Sequence, residues 1–344
     1  MSEQQPIGTD QPVAPGWTTH GPTTPAPTAP VKARRQPHAD GLEYHQALRT
    51  PGTSWWRGVA AIIVFVIGFV IVSSVFGGIA IAIDTATGRV PIDQVGLVNS
   101  PIFFALSIFS LALVGPLAAL TQWAFFGQRP RWIHSVTGGL RWGWLGRLAA
   151  VLIPVMAVSM IIFNLPAVTN PQPAPEWLWY LLVAIFLVPF QSAGEEYGFR
   201  GLINRSAATW SGNPHVAFAL GTVISSVLFM FAHGAGDPWL NVYYFSFGVL
   251  LCTVARLTGG LEGPIMVHVA NNLTALVISA LTQDLSGMFD RAAGTGGPFM
   301  LIQIVFVAAI SAGIIWWSRR QNLQTRTGAR ASSRPTISTS VPAR

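Results

Sequence analysis

The sequence predicts an all-α protein, a polytopic membrane protein with about eight transmembrane helices and both termini in the cytoplasm. Three observations predict this fold class. Only 10% of the residues are charged and 51% are hydrophobic, which is far from the balance of a soluble domain. Eight long runs contain no charged residue, and Lys and Arg are concentrated in alternate connections between the runs. No run alternates with a period of two residues, so the pattern does not favour a β-barrel.

The eight uncharged runs are each long enough to cross a bilayer, which takes roughly 20 residues of helix. Because the backbone in lipid must satisfy its own hydrogen bonds, helix is the expected form of every run. In order along the chain, the runs cover residues 58–83, 94–128, 148–175, 177–194, 206–236, 238–255, 263–283 and 292–318.

The distribution of positive charge predicts the orientation of these helices. Placing the N-terminus inside assigns 18 of the 20 Lys and Arg residues to cytoplasmic segments and leaves only Arg89 and Arg291 outside. Positive charge is enriched in cytoplasmic loops, so both termini are expected in the cytoplasm. The net charge of +7 lies mostly on the two tails. It predicts attraction to anionic lipids and no binding of nucleic acid.

The chain divides into three regions. Residues 1–50 are rich in Pro, Thr, Gln and Ala and are expected to form a disordered cytoplasmic tail. Residues 51–318 hold the eight-helix membrane domain, with a candidate catalytic core at about 176–283, and residues 319–344 form a basic, disordered tail. On this division, His45 is solvated and Glu262 is a solvated residue at the rim of the membrane.

Two adjacent acids mark the end of the fourth run. A carboxylate in hydrocarbon costs several kcal/mol, so Glu195 and Glu196 are candidates for a functional site. Arg200 follows Glu196 by four residues and meets it on one helix face, where it can neutralise the acid. Glu195 lies about 100° round the helix and is left without that partner. The pattern is typical of a carboxylate that accepts protons.

Two further polar clusters give Glu195 groups to work with. His233 ends the fifth helix, and His268 shares a helix face with Asn272, four residues later. A water held by Glu195 and His233 can attack a peptide carbonyl. His268 and Asn272 can then donate hydrogen bonds to the oxyanion that forms. Alternatively, one Glu and two His form a set of the kind that binds catalytic zinc. Its members would be Glu195, His233 and His268.

Three polar motifs together resemble those of a known family of membrane proteases; they are Glu195-Glu196-x-x-x-Arg200, Phe229-x-x-x-His233 and His268-x-x-x-Asn272. The family is CPBP, the CAAX protease and bacteriocin-processing group of intramembrane endopeptidases, also called Abi. The order of the motifs, and their places on the fourth, fifth and seventh of eight helices, fit this family. The resemblance covers residues from about 140 to 285.

The resemblance implies that the protein hydrolyses a peptide bond of a peptide or protein substrate inside or near the membrane. It assigns Glu195 as the base that activates water, assisted by His233, with Glu196 and Arg200 as a structural pair. His268 and Asn272 would orient the water or stabilise the oxyanion. It is compatible with a divalent metal such as zinc or with a metal-free, glutamate-based mechanism, and places the protein in a bacterial plasma membrane.

Two other classes of function use the same residues. A transporter or proton relay would also bury carboxylates and histidines, although it favours internal repeats and interrupted helices, which the sequence does not show. A membrane scaffold or immunity protein would keep the protease fold without its activity. The sequence pattern does not identify the substrate, the cleavage position, the oligomeric state or the side on which the cavity opens.

The depth of His268 sets a geometric condition on the site. This residue lies only five positions after Gly263, which is roughly 8 Å along a helix. Glu195 and His233 lie much deeper by the same measure. The site therefore forms only if the seventh helix starts deep in the membrane. We expect the 259–264 loop to line a water-filled cavity there, since irregular backbone is not stable against lipid.

Overall fold

The computed structural model describes residues 39–50, 52–96, 99–173, 176–282 and 288–328, and in these residues all regular elements are helical. In chain order the helices are α1 (Trp55–Thr87), α2 (Pro101–Ala112), α3 (Val114–Phe126), α4 (Trp142–Phe163), α5 (Leu165–Thr169), α6 (Trp177–Phe186), α7 (Val188–Glu196), α8 (Asn204–Ala208), α9 (Pro214–Ala232), α10 (Pro238–Thr258), α11 (Glu262–Thr282) and α12 (Met300–Arg320). A π-helical turn, Tyr197–Ile203, joins α7 to α8.

The prediction of about eight transmembrane helices is confirmed. Seven helical segments are long and apolar enough to cross a membrane, with α2 and α3 counted as one. The eighth consists of α6 and the segment Val188–Ala208, which meet at an angle of 45°. The all-α fold class is therefore correct for the described residues.

Two spans are broken at points that proline explains. Pro189 lies in the first turn of α7 and lacks the N–H that would continue the hydrogen-bond ladder of α6. Pro116 does the same near the start of α3, just after Leu113 separates it from α2. A side chain at Gly194 would collide with the backbone carbonyl of Leu111 at this second break. The glycine thus lets the helix that ends in Glu195 and Glu196 pack tightly against the α2–α3 break.

The start of α11 brings His268 to the site, with Nε2 at 3.6 Å from Glu195 Oε2, but the surroundings of the 259–264 loop differ from the expectation. The 259–264 loop is buried by protein and does not line a water-filled cavity. Leu261 N donates to His134 O over 2.9 Å, and Val136 N donates to Gly259 O over 2.9 Å. Buried backbone groups need partners, and the connection before α4 supplies them instead of water.

Glu262 is not the solvated rim residue that the sequence suggested. Its side chain is 0% exposed and forms a two-pronged ion pair with Arg141, in which Nε donates to Oε1 over 2.9 Å and Nη2 to Oε2 over 2.6 Å. Arg141 Nη1 also donates to Thr258 O over 2.9 Å. The pair fastens the start of α11 to the start of α4.

The boundaries expected for the two disordered tails are wrong for the residues next to the membrane domain. Tyr44, His45 and Leu48 are each 1% exposed. Gly41 N donates to Thr327 O over 2.8 Å, so part of the 39–50 segment pairs with residues that follow α12. Apolar and aromatic side chains here find a buried surface that local composition does not reveal. The rest of both tails, residues 1–38 and 329–344, lies outside the described residues.

We predict that Arg141→Gln lowers the free energy of unfolding by about 3 kcal/mol or more, because it leaves the buried Glu262 carboxylate without its cation. Arg147→Gln is the matched control, since the one side-chain hydrogen bond of Arg147 within the described residues is an exposed bond to Gln321. The cost of this change should stay below about 1 kcal/mol. Thermal unfolding of both variants in one detergent measures the difference. Equal losses would contradict a structural role for the Arg141–Glu262 pair.

A second prediction concerns pH and the folded 39–50 segment. Burial lowers the pKa of His45 from 6.5 to about 4. The unfolded chain therefore takes up a proton at this position first, and stability falls as the pH drops from about 6.5 towards 4. We expect His45→Gln to reduce this fall in melting temperature while changing little above pH 7. A variant as sensitive to acid as the wild type would show that His45 is not buried in this way.

Candidate active site

The two acids of the first motif have different surroundings. Glu196 is 0% exposed, and its Oε1 lies 3.0 Å from Arg200 Nη1 and 2.7 Å from His268 Nδ1. The contact with Arg200 is the one that the i, i+4 spacing predicts. The Arg200 guanidinium also lies 4.2 Å from the centroid of the Phe229 ring, which adds a cation–π contact. The charge of Glu196 is thus held by two cationic or polar partners.

Glu195 has no such ion pair within hydrogen-bond distance. Its Oε1 accepts a hydrogen bond of 2.5 Å from Gln191 Nε2. Its Oε2 is buried, has no hydrogen-bond partner among the described residues, and lies 3.6 Å from His268 Nε2. Glu195 therefore keeps one free oxygen, which the sequence anticipated. His268 bridges the two acids, a placement that sequence spacing alone did not reveal.

His233 reaches the same site from the end of α9. Its Nδ1 lies 2.8 Å from Phe229 O, and since a carbonyl only accepts, Nδ1 carries the hydrogen and Nε2 is left as an acceptor when the ring is neutral. The ring stacks on Tyr244 at 3.9 Å. Phe229 contacts both histidine rings, at 4.5 Å for His233 and 6.0 Å for His268. The two histidines are thus fixed by one aromatic side chain.

Gln191 joins the first and third motifs and was missed in the sequence. Besides donating to Glu195, it accepts a hydrogen bond from Asn272 Nδ2 over 3.3 Å and one from Ser192 Oγ over 3.1 Å. Its position four residues before Glu195, on the same helix face, was the available signal. The Gln191 amide therefore sets the orientation of both Glu195 and Asn272.

These polar groups open on a cavity of about 750 Å³. A volume of this size is in the range of small-molecule and peptide-binding pockets. The wall combines apolar side chains with polar ones: Ser107, Gln191, Glu195, His233, Tyr243, Tyr244, Asn271, Asn272, Ser279, Asp290, Arg291, Thr295 and Gln303. The sequence did not single out Tyr243, Tyr244 or Asn271, because aromatic and amide residues within a transmembrane helix are equally compatible with a role in helix packing.

The proposed zinc set does not form in this structure. Catalytic zinc needs three protein ligands within roughly 2.0–2.3 Å of one point. In the part of the chain that the structure describes, no three His, Cys, Asp or Glu side chains are arranged in this way. The Nδ1 atoms of both histidines are bonded elsewhere, that of His268 to Glu196 and that of His233 to a backbone carbonyl. The interpretation as a metalloprotease gains no support.

The contrast between the two acids gives a prediction about stability. Glu196→Gln should lower the free energy of unfolding by about 3 kcal/mol, because Arg200 then remains buried without a carboxylate. Glu195→Gln should leave it unchanged or raise it, since the new amide oxygen still accepts from Gln191 and no ion pair at hydrogen-bond distance is lost. Thermal unfolding of both purified variants separates the two acids. A larger loss for Glu195→Gln would refute the assignment of Glu196 as the structural acid.

The segment that holds this site is similar to known proteins. Residues 174–274 match the family described as Type II CAAX prenyl endopeptidase Rce1-like. The chain is 30% identical over 149 residues to the membrane-embedded CAAX protease MroQ of Staphylococcus aureus, a match that covers 42% of this chain and 59% of that protein. It is 25% identical over 188 residues to the uncharacterized protein YyaK of Bacillus subtilis, covering 52% and 62% of the two chains.

In both cases the chain spans about three fifths of the length of the curated relative it matches. No solved structure matches the chain. The matched segment contains Glu195, Glu196 and Arg200, His233, and His268 with Asn272. Of these, Glu195, His233 and Asn272 line the cavity. Within this segment, the chain is therefore similar to the Rce1-like CAAX prenyl endopeptidases and to a membrane-embedded CAAX protease.

Proposed function

We propose that this protein is an intramembrane endopeptidase in which Glu195 activates the water that hydrolyses a peptide bond. The observation that carries the proposal is the position of Glu195 at the wall of the cavity, with a buried Oε2 that has no hydrogen-bond partner among the described residues and lies 3.6 Å from His268 Nε2. Oε2 of Glu196 also lacks such a partner, but Glu196 is paired with Arg200 and is not among the residues that line this cavity. A carboxylate oxygen without a partner is costly to bury. A role as the general base would account for the burial of the Glu195 carboxylate.

The reaction begins with a water bound by the free oxygen of Glu195 and by the acceptor nitrogen of His233. Glu195 takes a proton from this water, and the hydroxide adds to the substrate carbonyl carbon. The resulting oxyanion is stabilised by hydrogen bonds from Asn272 Nδ2 and from His268 Nε2 when that imidazole is protonated. The protonated Glu195 then gives its proton to the leaving nitrogen as the carbon–nitrogen bond breaks. One water is consumed, and a carboxylic acid and an amine are released.

Glu196 and Arg200 support this chemistry without touching the substrate. Glu196 accepts from His268 Nδ1 over 2.7 Å, which fixes the orientation of the ring. Arg200 holds the carboxylate of Glu196 from the other direction. The pair thus aims His268 at Glu195, as a positioning acid does in other hydrolases.

The substrate class we propose is a polypeptide segment that enters the cavity from the membrane or its surface. The cavity is lined by apolar side chains from α1, α2, α4 and α12 as well as by the polar groups of the site. We also propose that both termini lie in the cytoplasm of a bacterial plasma membrane, supported by the 18 Lys and Arg residues on that side. The basic tails would then meet the anionic lipids of the inner leaflet.

We predict that Glu195→Gln lowers kcat by about 10²-fold or more, because general-base catalysis contributes roughly 10² to 10⁴. The measurement is twofold. First, membrane and secreted peptides are compared between cells carrying the wild-type chain and cells carrying Glu195→Ala. The peptides that differ are then incubated with purified wild-type and Glu195→Gln protein, and kcat is measured for each. Glu176→Gln, an exposed acid at the start of α6, is the control and should cleave like the wild type.

Two results would defeat the protease assignment. One is an identical set of peptides from cells carrying either chain at matched expression. The other is purified wild-type protein that cleaves no polypeptide but moves ions or protons across reconstituted vesicles in a manner that depends on Glu195. The second result would assign the same buried groups to a transporter or relay.

A further inference from the structure

Arg291 is a cation that the proposed chemistry does not use. It is one of the two arginines that the charge distribution places on the side opposite the termini. Among the described residues that line the 750 Å³ cavity, it is also the only Lys or Arg. Positive charge is rare on that side of the membrane, so its presence on the cavity wall calls for a local reason.

The side chain of Arg291 lies close to the catalytic groups. Its guanidinium carbon is 5.6 Å from the centroid of the Tyr244 ring, and the same ring stacks on His233 at 3.9 Å. The cation and the imidazole thus contact one aromatic side chain. An arginine that served only the membrane surface would point towards the headgroups, but this one faces the site.

The backbone around Arg291 is held firmly against the end of α9. Gly236 N donates to Arg291 O over 2.8 Å, and Gly294 N donates to Asp237 Oδ2 over 2.8 Å. Gly236 and Asp237 lie just after His233, so these bonds fix the position of Arg291 relative to the catalytic histidine. Arg291 is therefore held in a fixed position in the wall of the cavity.

Among the described residues, few groups use the hydrogen-bond donors of the Arg291 side chain. A guanidinium has five N–H donors, and the structure records one side-chain hydrogen bond for Arg291, from Nη1 to Met288 O over 2.9 Å. No carboxylate of the described residues lies within 4.0 Å of it. The two acids nearby already accept hydrogen bonds from backbone N–H groups. Asp237 accepts from Trp239 N and so caps α10, and Asp290 accepts from Ala292 N.

We propose that Arg291 binds a carboxylate of the polypeptide substrate and thereby selects which peptides are held with a peptide bond at Glu195. A planar guanidinium with free donors pairs with a carboxylate through two parallel hydrogen bonds. The carboxylate is either the free C-terminus of the peptide or an acidic side chain. This inference rests on the proposed function, since it assigns a specificity residue to that same cavity.

The experiment uses the purified full-length protein and a pool of apolar peptides, each made in four forms. The forms have a free or amidated C-terminus and an internal Glu or Gln. Cleavage by the wild type, Arg291→Gln and Arg291→Glu is followed by mass spectrometry. Arg89→Gln is the matched control, because Arg89 is the other arginine expected on that side and does not line the cavity.

We expect the wild type to prefer the carboxylate forms, and Arg291→Gln to raise their KM at least tenfold while changing the neutralised forms less than twofold. Arg291→Glu should reverse the preference. If amidation alone removes the preference of the wild type, the group recognised is the C-terminus; if the Glu to Gln change alone removes it, the group is a side chain. Arg89→Gln should keep the wild-type preference.

Equal losses on charged and neutralised peptides would overturn the proposal. So would an effect of Arg291→Gln that follows the lipid, seen with phosphatidylglycerol but not phosphatidylcholine vesicles, because Arg291 would then bind a headgroup. Binding of the same peptides, labelled with an uncharged dye, is measured in Glu195→Gln protein with and without Arg291→Gln. A charge preference in binding that needs Arg291 supports the inference even if the wild type cleaves nothing, whereas that lack of cleavage defeats the proposed protease.

Discussion

The ion pair between Glu196 and Arg200, with His268 as a third member, is the interaction on which the site depends. It neutralises a carboxylate that is 0% exposed inside an apolar bundle. Removing either partner of a buried pair leaves an uncompensated charge, which is far more costly than the pair itself. His268 lies in α11 and Glu196 in α7, so this contact also fixes the two helices against each other, although the two residues are 72 positions apart in the chain.

Around this contact the fold tolerates irregular backbone where an active site needs it. The helix that carries Glu195 is bent by 45° where it begins and passes into a π-helical turn where it ends. The π-helical turn is surrounded by protein, since residues 198–203 are all buried, as irregular backbone in a membrane requires. The start of α11 is covered in the same manner, through hydrogen bonds from Leu261 to His134 and from Val136 to Gly259. The cavity then lies on the other side of the site, where α9, α10 and the Arg291 segment meet.

Some sequence-based expectations were wrong because they treated each residue within its own segment. Glu262 follows two glycines and resembles a loop acid, but its partner Arg141 is 121 residues away. His45 lies in a Pro-rich stretch, but it packs beside Pro214, which is 169 residues away. Composition reports how much apolar surface a segment carries, and it does not report which distant surface covers that segment.

The sequence by itself determined the all-α class, the eight spans, the contact of Glu196 with Arg200 and the resemblance to a family of membrane proteases, because helix periodicity, hydropathy and short motifs are local properties. It also indicated that Glu195 lacks the partner that Glu196 has. Only the tertiary structure decided that His268 stands between the two acids, that Gln191 joins Glu195 to Asn272, and that Arg291 lies on the cavity wall. These facts depend on helices that approach one another in space, and the spacing of residues along one helix carries no information about the depth or rotation of its neighbours.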